Sequence, residues 1–163
     1  MNTRWLDDDE LAAWVGLVAV VELLPGILDT QLRRDSDLAH FEYFVLAMLS
    51  EAPEGTLRMT ALAQRTNSTL SRLSHVVRRL EERELVERSP CPDDRRATNA
   101  RLTDQGRAAI EAAAPGHVGN VRRHVIDALT PDQIHQLRDI TGVLLEHLDP
   151  DRLMTSVYER PAR

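Results

Sequence analysis

The stretch that decides the fold is residues 60–106, TALAQRTNSTLSRLSHVVRRLEERELVERSPCPDDRRATNARLTDQG. Thr60 can cap a short helix from Ala61 to Arg65, and the turn Thr66-Asn67-Ser68 can cap a second helix that runs to about Glu84. Two helices joined by so short a polar turn form a helix-turn-helix. The spacing therefore predicts this motif at the centre of the chain.

The second helix of the pair has an apolar side and a polar side. Its apolar side carries Leu70, Leu73, Val77 and Leu80. The opposite side offers hydroxyls, a histidine and arginines, which can approach base edges in the major groove and bind phosphates. The candidate DNA contacts are Ser68, Thr69, Ser71, Arg72, His75 and Arg79. On this pattern alone, a solvated helix face is an equally good interpretation.

A hairpin is predicted after the helix pair. The pattern is typical of a strand from Leu85 to Arg88, a loop from Ser89 to Arg96 and a return strand from Ala97 to Leu102. In the loop, carboxylates can hold guanidinium groups, and arginines can enter a narrow, electronegative minor groove. We assign Asp94, Arg95 and Arg96 as contacts of this wing, so the stretch predicts a winged helix-turn-helix.

Long helices are predicted on both sides of this stretch. They run from Asp7 to about Arg34 with a kink at Pro25-Gly26, from about Phe41 to Glu51, from Thr103 to near Leu129 with a bend at Pro115-Gly116, and from Thr130 to about Leu148. Asp7 and Thr130 each begin a capping box, and the helix that begins at Phe41 is apolar nearly all round, which is typical of a central buried helix.

Charge is distributed unevenly along the chain. The protein has 163 residues and a net charge of −6, yet residues 56–103 hold ten arginines and six acids, a net +4. A positive patch on an acidic body suits a protein that meets a polyanion with one surface. The longest uncharged apolar run, Leu11 to Val21, is shorter than the roughly 20 residues of a membrane span, and the acidic start is unlike a signal peptide. We therefore expect a cytoplasmic protein without a membrane partner.

The motifs of the central stretch match a known family. They are Leu62-Ala63, Leu70-Ser71-Arg72-Leu73, Leu80-Glu81-Glu82-Arg83, Leu85-Val86-Glu87-Arg88, Pro92-Asp93-Asp94-Arg95-Arg96-Ala97 and Leu102-Thr103-Asp104-Gln105-Gly106. Together they resemble the DNA-binding lobe of the MarR family of bacterial transcriptional regulators, and the resemblance covers about residues 11–148. Its most specific part is the Asp-x-Arg wing followed by Leu-Thr-x-x-Gly.

The resemblance implies a mainly α fold in one domain, residues 1–163. A winged helix-turn-helix lobe with a small β-hairpin wing would occupy 41–103, long helices at 7–35 and 104–148 would build a dimerisation lobe, and 149–163 would be a loosely held tail. Arg96 would be the minor-groove arginine and Asp94 its orienting partner. The implied function is that of a homodimeric, ligand-responsive repressor, which binds double-stranded DNA specifically at a palindromic operator.

Two further features bear on this function. The outer helices carry apolar stripes that a monomer would leave wet: Leu11, Trp14, Leu17 and Val18; Val121, Val125 and Ile126; Leu144, Leu145 and Leu148. The resemblance also implies a small aromatic or phenolic effector, bound where the dimerisation helices meet the DNA lobe. The candidate pocket residues are His40, Phe41, Phe44, Met48 and His117, which are also compatible with ordinary core and turn positions.

This sequence departs from the family pattern at two places. Glu84 stands where the family usually has a glycine in a left-handed turn, so we expect a different local turn. The return strand is unusually polar, which suggests a short or edge-exposed strand.

Other functions have weaker support in the sequence. A helical protein-interaction module without specific DNA binding would use the arginines structurally. A redox-sensing regulator could use Cys91, which we expect to be exposed between two prolines near Arg88 and Arg95. None of the six histidines forms a zinc-type i, i+4 pair, and no enzyme motif appears, so we expect no metal, no cofactor and no enzymatic activity.

Overall fold

The computed structural model describes residues 3–92 and 94–154, and every side chain in those ranges except that of Arg95. Within them, the chain forms six α-helices and a small antiparallel sheet. The helices are α1 (Asp8–Ser36), α2 (His40–Glu51), α3 (Met59–Arg65), α4 (Leu70–Glu82), α5 (Asp104–His124) and α6 (Pro131–Leu148), and the strands are β1 (Thr56–Arg58), β2 (Val86–Cys91) and β3 (Asp94–Leu102). The predicted fold class, mainly α with a winged helix-turn-helix, is confirmed.

The sheet has the order β1-β3-β2, and both pairings are antiparallel. The return strand β3 is therefore the long central strand, and the prediction of a short or edge-exposed strand is wrong. The predicted hairpin loop is also too long, because β2 extends to Cys91 and β3 begins at Asp94. A polar side chain of β3 can be paired across the sheet. Arg101, for example, pairs with Glu87 at 2.7 Å and faces Thr56 of β1.

The helix-turn-helix forms with shifted boundaries. Helix α3 begins at Met59, with Arg58 rather than Thr60 as its N-cap. Helix α4 is capped by Thr69, whose hydroxyl oxygen accepts the backbone N–H of Arg72 at 3.2 Å, rather than by Ser68. Sequence patterns commonly misplace helix ends by one or two residues, because several neighbouring polar residues can cap the same turn.

The core lies between α2, α4 and the inner face of the sheet. Val45, Leu46 and Leu49 of α2 and Leu73 and Leu80 of α4 are completely buried. Burial on this scale confirms α2 as the central helix of the lobe and provides the main hydrophobic stabilisation.

Leu70 does not belong to this core. The helical spacing predicts it on the buried side of α4, but it is 47% exposed. It is the first residue of α4, where the helix emerges from the turn and extends past the end of the packed layer.

The turn after α4 keeps the left-handed conformation without a glycine. Glu84 has φ 57°, so the expectation of a different local turn is wrong. The turn is held from both sides, because Leu85 N–H donates to the Leu80 carbonyl at 2.9 Å and the Thr103 hydroxyl donates to the Glu84 carbonyl at 2.6 Å. These bonds offset the strain of a left-handed non-glycine residue.

The outer helices follow their predicted caps. Asp7 and Glu10 form a reciprocal capping box at the start of α1, and Thr130 and Gln133 form another at α6. Helices α1 and α5 continue through Pro25 and Pro115. Helix α5 ends at His124, earlier than the predicted Leu129, because Ile126–Ala128 forms a separate 3₁₀ turn.

Helix α1 leaves much of its apolar surface exposed. Its C-terminal part packs against α2 and α5, while Leu11, Trp14, Leu17 and Val18 remain exposed. By length and composition alone, α1 could cross a membrane. The eleven-residue limit taken from the sequence is therefore too strict, since Glu22 is the only charge between residues 11 and 28.

Candidate nucleic-acid interface

The polar side of α4 faces away from the core. Leu73, Val76, Val77 and Leu80 anchor the opposite side of the helix, which fixes the rotation of α4 about its axis. Five of the six predicted contact residues are exposed, and Ser68 is half-buried; the exposed five are Thr69, Ser71, Arg72, His75 and Arg79. The arrangement presents small hydroxyls at the N-terminal end of α4 and longer cationic side chains further along it.

The two predicted arginines on this face have different surroundings. The Arg72 guanidinium carbon lies 4.5 Å from the centroid of the Phe41 ring, a cation–π contact with α2. Arg79 donates from Nε to the Glu42 carboxylate at 3.1 Å. Arg72 therefore keeps its hydrogen-bonding edge available, whereas part of that of Arg79 is engaged within the protein.

Several other arginines of the lobe form salt bridges with acids of the same lobe. Arg88 binds Glu81 through Nε at 2.9 Å and Nη2 at 2.6 Å, and Arg101 binds Glu87. The Arg88 pair lowers the pKa of the Glu81 carboxyl, because the charge-assisted hydrogen bonds favour the ionised form. Among the described residues, no acid lies within salt-bridge distance of Arg58, Arg65, Arg72 or Arg96. The uncompensated positive charge of the lobe therefore lies on β1, α3, α4 and the wing.

The wing is held by a backbone contact. The Asp94 carboxylate accepts the backbone N–H of Arg96 at 3.1 Å, while the Arg96 side chain is exposed. Asp94 thus shapes the strand that carries Arg96 rather than pairing with its guanidinium. The predicted contact Arg95 has its backbone in β3, and its side chain lies outside the described part of the structure.

Cys91 is buried, with 4% of its surface exposed, so the prediction of an exposed thiol is wrong. The reason is that β2 continues to pair with β3 as far as Cys91. Burial removes the solvent access that a redox-sensing thiol needs.

A cavity of about 460 Å³ lies between α2 and α5. Three of the five predicted pocket residues, Phe44, Met48 and His117, line it. Phe41 does not line it, and its ring lies under Arg72. His40 is not in the lining either, and its ring centroid lies 6.3 Å from that of His117. Phe41 and His40 therefore remain predicted pocket residues that this cavity does not include.

Sequence reasoning missed three polar residues of this cavity, Tyr43 and Glu51 of α2 and Arg122 of α5. Tyr43 packs its ring 4.4 Å from that of His117, and Arg122 lies at the α5 side, 2.5 Å from Asp127. Tyr43 stands one position from the predicted Phe44. Arg122 is one helical turn beyond Val118 but five residues beyond His117, so helical spacing from the predicted histidine did not indicate it.

Two histidines near this cavity have lowered pKa values. Burial lowers the pKa of His117 below the ordinary value of 6.5, and the neighbouring His40 lowers it further. Burial also lowers the pKa of His40, although Asp29 acts in the opposite direction. The Nδ1 atom of His117 is buried and has no hydrogen-bond partner among the described residues. A neutral ring is the form that such an environment favours.

Comparison with known proteins agrees with this geometry. The MarR family model matches residues 38–98. The crystal structure of Sco3205, a MarR family transcriptional regulator from Streptomyces coelicolor in complex with DNA, is 43% identical, with a TM-score of 0.86, and covers 91% of this chain and 93% of Sco3205.

Two further relatives are less similar. CouR from Rhodococcus jostii RHA1, solved with p-coumaroyl-CoA bound, is 26% identical, with a TM-score of 0.72 over 91% of this chain and 97% of CouR. The HTH-type transcriptional repressor MdtR from Bacillus subtilis (strain 168) is 29% identical over 110 residues, 68% of this chain and 69% of MdtR. Because the likeness to Sco3205 extends over the whole fold, this chain belongs to the MarR family of DNA-binding transcriptional regulators.

Proposed function

We propose that this protein is a homodimeric, ligand-responsive repressor that binds a palindromic DNA operator. The observation that carries the proposal is the pairing of two exposed cationic elements, α4 with Arg72 and the wing with Arg96, neither arginine being neutralised by a described acid. In this proposal α4 reads base edges in the major groove, through Thr69, Ser71, Arg72 and His75, and Arg96 enters the flanking minor groove. Arg79, held by Glu42, contributes charge near the phosphates.

The dimer is proposed from the apolar surface of the outer helices. Trp14 of α1 is 56% exposed, and Ile140, Val143 and Leu148 of α6 are more exposed still. A second copy that covers this surface gives an isologous dimer, with 7–35 and 104–148 as the dimerisation helices. It also places two copies of α4 symmetrically, as a palindromic operator requires.

The ligand is proposed to bind in the cavity between α2 and α5. Phe44, Met48 and Tyr43 supply aromatic and polarizable surface. Arg122 is exposed and binds Asp127 through Nη2, and in this proposal its remaining N–H groups bind a carboxylate or phosphate. CouR, which shares this fold, is solved with p-coumaroyl-CoA, which carries an aromatic acyl group. An aromatic acid or its thioester therefore fits the proposed site. Release of DNA requires that the ligand bind the DNA-incompetent arrangement more tightly.

Repression is proposed because the relative MdtR is named a transcriptional repressor. In this proposal the bound dimer blocks access of RNA polymerase to the DNA. A protein that acts on the genome of a bacterium works in the cytoplasm, so we propose that location. The buried thiol of Cys91 makes a redox mechanism the weaker alternative.

One experiment tests DNA recognition. Genomic DNA retained by the purified protein is sequenced, and the affinity for the recovered sites is measured at 50 and 200 mM salt. We expect an imperfect palindrome with half-site centres about 34–36 Å apart, and a loss of affinity of roughly 100-fold for four phosphate contacts. Recovery of random DNA, or affinity independent of salt, would favour the helical interaction module.

A second experiment tests the ligand class. Aromatic acids and their thioesters are titrated at up to millimolar concentration against the protein–operator complex. We expect at least one to release the operator and to raise the melting temperature of the free protein. An Arg122→Gln variant serves as the matched control, and it should bind DNA normally but respond less to acids. Absence of any effect from this ligand class would contradict the proposed effector.

A further inference from the structure

The first turn of α2 supports the polar face of α4 at two points. Phe41 lies under the Arg72 guanidinium, 4.5 Å from ring centroid to Cζ, and Glu42 binds Arg79 at 3.1 Å. Arg72 and Arg79 are seven residues apart, two turns along the same helix face. Two adjacent residues of α2 therefore hold two of the three exposed arginines of α4.

Both supports are themselves anchored. Phe41 is partly buried and packs against the hydrophobic core. Glu42 is 7% exposed, and its second carboxylate oxygen accepts the backbone N–H of Ala39 at 2.9 Å. Because Phe41 and Glu42 are fixed in this way, they can hold the Arg72 and Arg79 side chains in defined positions.

Stacking on an aromatic ring has a specific effect on an arginine. The ring occupies one face of the planar guanidinium and leaves the N–H groups at its edge free. Those edge donors are the atoms that form a bidentate pair with O6 and N7 of guanine. An exposed arginine without such a support has many rotamers and loses their entropy on binding.

We propose that Phe41 is a positioning residue for sequence readout. It does not touch DNA, and it orients Arg72 so that this arginine discriminates between bases. The proposal rests on the proposed function, because it requires that α4 enter the major groove. It assigns Phe41 a role separate from the effector cavity, which it does not line.

The test uses four variants and one measured ratio. The variants are Phe41→Leu, Phe41→Tyr, Arg72→Ala and the Phe41→Leu/Arg72→Ala double variant. For each, we compare the affinity for the operator with the affinity for operators that carry single base-pair changes in the half-site. Phe41→Leu keeps an apolar side chain of similar reach but removes the aromatic face, whereas Phe41→Tyr keeps the face. Thermal melting checks that each variant is folded at the assay temperature.

We expect Phe41→Leu to reduce the discrimination ratio by about 2- to 30-fold at the base pairs that Arg72→Ala also affects, the range that a cation–π contact supports. The salt dependence of binding should stay the same, because no phosphate contact is lost. Phe41→Tyr should keep the ratio of the parent protein. Phe41→Leu should have no further effect in the Arg72→Ala background, because Phe41 affects readout only by orienting Arg72.

Four results would overturn the inference. An unchanged ratio in Phe41→Leu, or an equal loss with and without Arg72, would show that Phe41 acts only on stability. A normal discrimination ratio in Arg72→Ala would show that Arg72 does not read bases. In that case the proposed function would still stand, provided that the parent protein binds the operator. If the parent binds no specific DNA, the proposed function fails and this inference fails with it.

Discussion

Arg96 is an exposed arginine on β3 without a described acid partner, and it is the residue on which wing binding depends in our proposal. Arg96→Ala should weaken operator binding by roughly 30- to 1,000-fold, from about 1–2 kcal/mol for each of two symmetric contacts. The melting temperature should stay the same, because the side chain is exposed. Fluorescence anisotropy with labelled operator measures the affinity.

Two neighbouring variants control this prediction. Arg101→Ala removes an arginine from the same strand that is already paired with Glu87, and it should leave affinity nearly unchanged. Asp94→Ala should give a milder loss than Arg96→Ala, because it loosens the backbone N–H of Arg96 without removing its charge. Operator affinity of Arg96→Ala equal to that of the parent would contradict the assigned role of the wing.

Glu84 is strained at φ 57°, where glycine is favoured. Glu84→Gly should raise the free energy of unfolding by about 0.5–1 kcal/mol. The relief of a left-handed residue, roughly 1–2 kcal/mol, exceeds the added entropy of the unfolded chain. Urea denaturation measures the change. Glu84→Ala removes the same carboxylate but keeps a Cβ, so it should not stabilise the protein; stabilisation by both variants would mean that the carboxylate, not the backbone, is the cause.

At the scale of elements, α5 approaches Leu85, in the segment between α4 and β2, so closely that only a glycine fits. A Cβ on Gly106 would overlap the Leu85 backbone carbonyl and lie 2.8 Å from Leu102 Cδ1. Gly106→Ala should therefore destabilise the protein by about 2 kcal/mol or more, since backbone must shift. This contact gives a physical reason for the glycine of the Leu-Thr-x-x-Gly motif.

A second glycine of α5 gives the matched control. Gly119 has no atom within 4 Å of the position that a Cβ would take. Gly119→Ala should be neutral or stabilising, because alanine has the higher helix propensity. The midpoint of thermal unfolding distinguishes the two variants, and equal destabilisation by both would contradict the packing explanation.

The junction of α2 and α5 should make stability depend on pH. His40 and His117 have lowered pKa values in the folded protein because of burial, so the unfolded chain takes up protons first as the pH falls through 6.5. The free energy of unfolding should therefore decrease from pH 7 to pH 5. Asp29 and Asp35 add nothing in this range, because hydrogen bonds lower their pKa values and they stay ionised.

Thermal melting at pH 7, 6 and 5 tests this dependence. His117→Gln should flatten the profile, since glutamine does not titrate. His135→Gln, at an exposed position of α6, should not. A profile that His117→Gln leaves unchanged would place the pH sensitivity elsewhere.

At the scale of the whole molecule, the exposed face of α1 and α6 predicts the assembly. We expect a stable dimer at micromolar concentration, with an interface larger than about 2,000 Å² in total. Trp14→Glu should raise the dissociation constant of the dimer by at least about 100-fold, because symmetry buries two carboxylates. Operator binding should weaken with it. Analytical ultracentrifugation measures the association state of the parent protein and of Trp14→Glu. Arg96→Ala serves as the control and should remain dimeric. A monomeric parent would contradict the proposal.

The local features of this protein were determined by its sequence. Asp7 with Glu10 and Thr130 with Gln133 begin helices where predicted, and the apolar spacing of α4 predicts three of its buried residues correctly. The same holds for the winged helix-turn-helix as a class. Caps and helical periodicity depend on residues three or four positions apart, so a short window of sequence contains all the atoms that decide them.

Only the tertiary structure decided which side chains remain available to a ligand. Arg72 and Arg79 look alike in sequence, yet one stacks on Phe41 and the other binds Glu42, 37 residues away. The pairing of β1 with β3 and the burial of Cys91 are likewise set by contacts between distant segments. The free energies of such contacts depend on distance and orientation in three dimensions, which no spacing along the chain encodes.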